Sequence, residues 1–186
     1  MSISSSNITI YGTPSQKGKN EKSNKFQELE LIKSISCLIE GIIQRNITKK
    51  KFPKKSIFFI EEENIPNISI YTFIFYIYSY LNLELSTIIL TIITINRFLE
   101  QTKDQLSKNN FYKLFISSCL LNSKQNEDYF LDYELYAKAG KIDKNELIFL
   151  ENEFFKMIDY KLFVKDEVYR RYYDFFKNRV RKVEYS

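Results

Sequence analysis

The sequence predicts an all-α fold, and three observations carry that prediction. Only 4 Gly and 3 Pro stand among 186 residues, too few for a chain built from many tight turns, so long helices fit better than a loop-rich or all-β protein. Apolar residues recur at helical spacing in two long stretches, Phe26, Leu29, Ile32, Ile35, Ile39, Ile42 and Ile43, and then Phe111, Leu114, Phe115 and Cys119. Asp143 precedes a further apolar run, with Glu146 at the reciprocal capping position of a helix start. At this length the chain suits one domain with extensions and can bury a sizeable core.

Composition excludes much chemistry. The chain has no histidine, which removes the usual general base near neutral pH, the histidine-containing triads and every His-ligated metal site. Two cysteines, Cys37 and Cys119, are too few for a zinc cluster or a disulfide framework and point to a reducing compartment. Cys119 lies on an apolar helix and reads as a small core residue rather than a nucleophile. A net charge of +5 gives mild attraction to anionic partners and no more. No enzyme, cofactor, metal or small-molecule substrate is expected.

Taken in order, residues 1–24 are rich in Ser, Asn and Lys without an apolar period and read as a disordered tail. They lack the layout of a secretory signal. Gly12 and Gly18-Lys19 miss the spacing of a phosphate-binding loop, and Asn20 stands where its Ser or Thr would be. Thr13-Pro14 has the form of a proline-directed phosphosite, a pattern that in such a tail more often marks nothing. Residues 25–47 form an N-terminal helix whose stripe, with Glu28, Glu30, Lys33 and Glu40 off it, is expected to face its own core rather than a partner. Residues 48–64 are a charged linker around Pro53, with lysines at 49, 50, 51, 54 and 55 followed by Glu61-Glu62-Glu63. Lacking interleaved aromatics, it reads as solvated rather than as a nucleic-acid site, with an acidic protein face as a third alternative.

Between Ile65 and Ile95 the only charge is Glu84. Ile65 to Leu83 is nominally long enough to span a bilayer, but it contains Pro66, two Asn and four Tyr, and the next apolar run is too short to return. Thr87 to Ile95 is β-branched almost throughout, and local propensity there favours a strand. Lys124 falls at the end of the helix that follows, where a cation complements exposed carbonyls. The helix after Asp143 is expected to run to about Asp159. Residues 164–186 form a last helix that docks Tyr169, Tyr172, Tyr173 and Phe176 and leaves a basic face in solvent, a better reading of this pattern than RNA binding.

Five motifs in order give this layout a family. Pro66-Asn67-Ile68-Ser69-Ile70, Ile93-Thr94-Ile95-Asn96-Arg97-Phe98, Ser123-Lys124 with Glu127-Asp128, Tyr136-Ala137-Lys138-Ala139-Gly140, and Glu146-Leu147 through Leu150-Glu151 to Phe154 resemble the five helices of the cyclin box. The similarity is strongest to the single-box P-type (P/U) cyclins. The resemblance implies a five-helix box over 65–163, with Ser69 capping its first helix and Glu84 to about Leu99 buried as its second, tertiary burial overriding the strand propensity. There is no room for a second box.

The resemblance also implies a function. Such a chain binds the helix C face of a cyclin-dependent protein kinase and activates it, in cell-cycle or cell-division control, from the nucleus, the cytoplasm or both. Lys124 and Glu151 would be the pair that reaches the kinase, with Phe155, Tyr160 and Leu162 supplying apolar contact. Alternatives are a cyclin-fold scaffold in transcription or nutrient signalling, and a membrane-associated helical protein. Nucleic acid and membrane are not expected partners. Three positions depart from the family pattern. Asn96 and Tyr76 stand where a charged pair is usual and are expected to share a neutral hydrogen bond, and Gln125 replaces an apolar residue beside the site lysine.

Overall fold

The computed structural model describes residues 17–51, 53, 55–129 and 132–184. Among them lie seven α-helices: α1 Lys17–Thr48, α2 Ile70–Tyr80, α3 Leu85–Thr102, α4 Lys108–Asn126, α5 Tyr133–Gly140, α6 Lys144–Met157 and α7 Asp166–Glu184, with a single 3₁₀ turn at Glu62–Asn64. The described residues contain no strand. Helices α2 to α6 correspond one to one with the five motifs, and none of the helices is long and apolar enough to cross a membrane.

Helix α4 is the axis of the fold. Almost every side chain from Asn110 to Ser123 is buried, as expected of a helix surrounded on all sides, and α3, α5 and α6 pack around it. Its small residues let α3 come close, and a polar seam lines the contact. Ser118 Oγ donates to the Thr91 carbonyl at 3.2 Å, and Asn122 Nδ2 donates to Thr94 Oγ1 at 3.1 Å and to the Ser118 carbonyl at 2.8 Å. The strand propensity of Thr87 to Ile95 is overridden because nearly all of these side chains are buried in the helical core. The threonine hydroxyls, which would otherwise be a cost, bond back to carbonyls one turn earlier, Thr91 to Thr87 and Thr94 to Leu90, each at 2.7 Å.

Caps set the element boundaries. Ser69 Oγ accepts from Thr72 N at 3.0 Å and starts α2, while the Tyr112 hydroxyl donates to the Ile68 carbonyl at 2.9 Å and pins the entry segment to α4. Asp143 Oδ1 accepts from Asn145 N and Glu146 N at 2.8 and 3.1 Å. The reciprocal half of that expected capping box is absent: Glu146 pairs with Lys113 on α4 instead, and α6 ends at Met157 rather than near Asp159. At the end of α5 a Cβ on Gly140 would lie 2.8 Å from Ile116 Cγ1, so this glycine lets α5 lie against α4.

The structure departs from the sequence reading in two flanking segments and at one position pair inside the box. Helix α1 begins at Lys17, inside the stretch 1–24 assigned to a disordered tail; once its packed stripe has formed a helix, adding residues at its end costs far less than nucleating one. Residues 1–16, with Gly12 and Thr13-Pro14, lie outside the described residues. Ile32, Ile35, Ile39 and Ile43 are buried against α2, α3 and α7, and Ser34 Oγ donates to the Phe176 carbonyl at 3.1 Å.

The linker 48–64 is solvated toward its two ends, with Glu61 to Asn64 as exposed as its start, but not in its middle. Lys49 to Lys51 are exposed, but Phe58 is wholly buried, edge-on to Phe98 and Phe154 at 5.2 and 5.9 Å. Ile60 is held by the Asn109 carbonyl at 2.6 Å and side-chain amide at 2.9 Å. The neutral bond expected between Tyr76 and Asn96 does not form. Tyr76 lies on the exposed side of α2 and stacks on Tyr80 at 5.3 Å, while Asn96 Nδ2 donates to Glu100 one turn along α3 at 2.8 Å.

Candidate functional site

The site is assembled where α4 ends. Glu84, the N-cap of α3, makes no side-chain cap bond of its own. Its backbone N–H goes to Glu127 Oε1 at 2.9 Å, and the same oxygen accepts from Thr87 Oγ1 at 2.5 Å. Asn126 Nδ2 adds bonds to Ser86 Oγ and Thr87 Oγ1, both at 2.8 Å. Just beyond Lys124, Glu127 thus accepts from the open backbone donor at the start of α3, and Asn126 donates to the hydroxyls of its first turn. This fixes the end of α4 in space.

Helix α6 brings Glu151 underneath. Its side chain is 5% exposed, and a carboxylate so buried persists ionised only with strong partners. Lys124 Nζ lies 2.5 Å from Oε1, and the Tyr133 hydroxyl donates to Oε2 at 2.7 Å. Lys124 Nζ also donates to the Tyr133 oxygen at 2.5 Å and sits 4.3 Å from the centre of that ring. One side chain from each of α4, α5 and α6 thus closes a three-membered network, with Lys124 the most open member at 31% side-chain exposure. Burial pulls the Lys124 ammonium down, but its bonds to Glu151 and Tyr133 outweigh that, and its pKa rises above the ordinary lysine value. Burial pushes the Tyr133 phenol up, and the Lys124 bond offsets only part of this.

One turn beyond Glu151 on the same face, Phe155 is half-buried, its ring 5.1 Å from that of Tyr160 in an edge-on pair. Asp159 and Tyr160 both adopt positive φ, 54° and 56°, reversing the chain and leaving Tyr160 61% exposed. Leu162 is joined to Tyr160 by a backbone bond of 3.1 Å. Its side chain instead lines a cleft of about 360 Å³ shared with Leu90, Gln125, Phe163 and Tyr169. Arg97 holds this loop through the carbonyls of Lys161 and Phe163. The structure therefore brings Lys124 to Glu151 and Phe155 to Tyr160, and sets Leu162 apart beside Gln125.

Sequence reasoning missed Tyr133, the hydroxyl that completes the pair, because no local pattern marks a tyrosine at the first position of a helix. Arg97 and Glu127 stand in the family motifs, but the motifs do not show their roles, one fixing the loop of Leu162 and the other capping α3. Cys119, read as a core residue, is wholly buried, and burial pushes its thiol up to about 12. No group of three or more His, Cys, Asp or Glu side chains among the described residues is placed to hold a metal ion.

The sequence model of the family described as Cyclin matches residues 7–162, so the match takes in α1 as well as the five helices α2 to α6. Among similar proteins, Cyclin-U2-1 of Arabidopsis thaliana is 28% identical over 147 residues, covering 76% of this chain and 65% of that protein. Cyclin-U4-1 of the same plant is 23% identical over 163 residues, covering 86% and 81%. The PHO85 cyclin-like protein psl1 of Schizosaccharomyces pombe is 23% identical over 188 residues, covering 94% and 77%. The chain thus spans just under two thirds of the length of Cyclin-U2-1 and more of the other two. A family match over most of its length, on a helical box whose five helices carry the five motifs in order, makes this chain a member of the cyclin family, of the P/U type.

Proposed function

We propose that this chain is a regulatory subunit that binds a cyclin-dependent protein kinase and activates it, fixing the kinase's helix C and activation loop in the active arrangement. The observation that carries the reading is the Lys124–Glu151 pair at the junction of α4 and α6, with half-buried Phe155 and exposed Tyr160 beside it and Leu162 set apart in the neighbouring cleft. A kinase becomes active when its helix C glutamate turns inward to the strand-three lysine. A subunit that binds this arrangement better than the inactive one shifts the equilibrium, and moving it from 1:99 to 99:1 takes about 5.5 kcal/mol of differential binding. A partly buried charged network bordered by aromatic side chains is a suitable source, since hot spots concentrate in such surroundings.

The chain itself is read as non-catalytic. Its one buried thiol is held protonated, and it has no histidine. Its setting is read as the nucleus, the cytoplasm or both, and its output as control of cell division, with nutrient signalling or transcription as the alternative. The name of one relative, PHO85 cyclin-like protein, supports a kinase-linked role without choosing among these.

The test is an affinity pull-down from native lysate with wild type beside the Lys124→Ala, Glu151→Ala double mutant, with histone kinase activity assayed on the beads. A cyclin-dependent kinase and its activity on wild-type beads alone is the expected result. Equal recovery by both baits would overturn the site, and recovery of membrane proteins or nucleic acid in place of a kinase would overturn the function.

A further inference from the structure

The Lys124–Glu151 pair does not stand alone, and its third member has a separable role. Lysine carries a long flexible stem, and a free lysine that must bind a partner in one geometry loses rotamer freedom as it does so. Here that freedom is already restricted before any partner arrives. The ammonium lies against Glu151 Oε1 at 2.5 Å and the Tyr133 oxygen at 2.5 Å, with the ring centre at 4.3 Å. Tyr133 is in turn oriented by Glu151 Oε2 at 2.7 Å. Helix α5, which carries it, is itself rigidly placed: Tyr136, Ala137 and Ala139 are buried, and Gly140 allows the close approach to Ile116. Glu151 is too deeply buried to meet a partner first, while Lys124 keeps part of its side chain at the surface.

We propose that Tyr133 is a positioning residue of the kinase-binding site: its hydroxyl, clamped between Lys124 Nζ and Glu151 Oε2, holds the ammonium in the rotamer that meets the kinase. The inference rests on the reading of Lys124 and Glu151 as kinase-binding residues. Tyr133 acts through Lys124 and does not itself touch the partner. Removing the hydroxyl leaves the ring in place and returns to the lysine the freedom the clamp had taken away. Affinity falls because that freedom is then lost on binding.

Tyr133→Phe is compared with wild type in three measurements. The first is retention of the cyclin-dependent kinase recovered on wild-type beads, titrated by bait concentration. Retention about tenfold weaker is expected, with a cooperative thermal transition retained at a lower midpoint, because the buried Glu151 carboxylate loses one of its partners. The second is the same substitution in a Lys124→Ala background. There it changes retention less than twofold, because the side chain it positions is gone. The third needs no partner. In protein labelled with ¹³C at lysine Cε, the Lys124 resonance titrates at lower pH in Tyr133→Phe than in wild type.

Undiminished retention by Tyr133→Phe beside a wild type that holds the kinase overturns this inference alone. So does a further multiplicative loss in the Lys124→Ala background, or an unmoved Lys124 titration. A wild type that retains no cyclin-dependent kinase overturns the underlying reading and this inference with it.

Discussion

Two ion pairs tie α4 to α6, and they differ in everything but distance. Lys113–Glu146 spans 2.6 Å near the start of both helices, and Lys124–Glu151 spans 2.5 Å near the end of α4 and the middle of α6. In the first pair the carboxylate is the open member, at 41% exposure against 21% for its lysine. In the second it is the sealed one, at 5% against 31%. Exposed carboxylates are solvated whether or not a lysine is near, so the first pair contributes little net stability. A sealed carboxylate depends on its partners, so the second pair is costly to break even where desolvation leaves it little net stabilisation. A third element separates them too, since α5 supplies Tyr133 to one pair and nothing in the described network supplies a hydroxyl to the other. Burial of one partner, more than separation, decides how much the fold depends on each pair.

The sharpest way to break this comparison is to remove each lysine. Lys124→Ala leaves Glu151 buried with Tyr133 as its remaining partner among the described residues and is expected to lower stability by about 2–3 kcal/mol, below the full penalty for orphaning a buried ion because one hydrogen bond survives. Lys113→Ala is expected to cost under ~1 kcal/mol. Urea denaturation with a common m-value reads both. Equal costs would mean that the burial of Glu151 carries no energetic weight.

Next in size is Gly140→Ala, which reaches one pair and spares the other. The new Cβ would meet Ile116 Cγ1 at 2.8 Å, forcing α5 away from α4 and drawing Tyr133 off the pair. An overpacking cost of about 1–3 kcal/mol is expected, together with weakened kinase recovery. Lys113→Ala should leave kinase recovery as it was. A Gly140→Ala protein of native stability would show that α5 is not held where the structure places it.

A pH series sharpens the same contrast. The Lys124 pKa is raised in the folded state, so the pair's contribution is fully present below the unfolded lysine pKa of about 10.4 and is lost as pH rises through the higher folded value. The stability gap between wild type and Lys124→Ala should therefore hold from neutrality to about pH 10 and narrow above it, as read by urea midpoints at successive pH values. A gap that closes below pH 9 would contradict the direction of the shift.

How far the sequence could anticipate these features depends on how many helices each one needs. Ser69 and Asp143 as caps are local and were legible from residue type and spacing. Thr87 to Ile95 as a helix was legible only through the order of the five motifs, because propensity there points to a strand and burial decides. Lys124 and Glu151 were legible through resemblance, and the structure does place them in contact. Tyr133 requires α4, α5 and α6 to be placed together, and nothing within its own helix announces it. Phe58 was hidden because its short apolar run, Ile57 to Ile60, stands between lysines and glutamates that signal solvent. The expected Tyr76–Asn96 bond failed for the complementary reason: motif positions say which residues substitute for a family pair but not where their side chains point, and on α2 the outward side is a row of stacked aromatics.

The smallest effect expected is that of salt, and it separates the pairs without any mutation at Glu151. Raising ionic strength from ~0.01 to ~1 M shortens the screening length from about 30 to about 3 Å. Screening acts on charges that solvent ions can approach, which describes Glu146 and not Glu151. The difference in stability between wild type and Lys113→Ala, a few tenths of a kcal/mol at low salt, should vanish at 1 M NaCl. The difference between wild type and Lys124→Ala should change by a small fraction of itself, because the buried carboxylate is paired inside the fold and its partners do not compete with the solution. If both differences decline in proportion, solvent reaches Glu151 as readily as Glu146, and the two pairs are one kind of interaction after all.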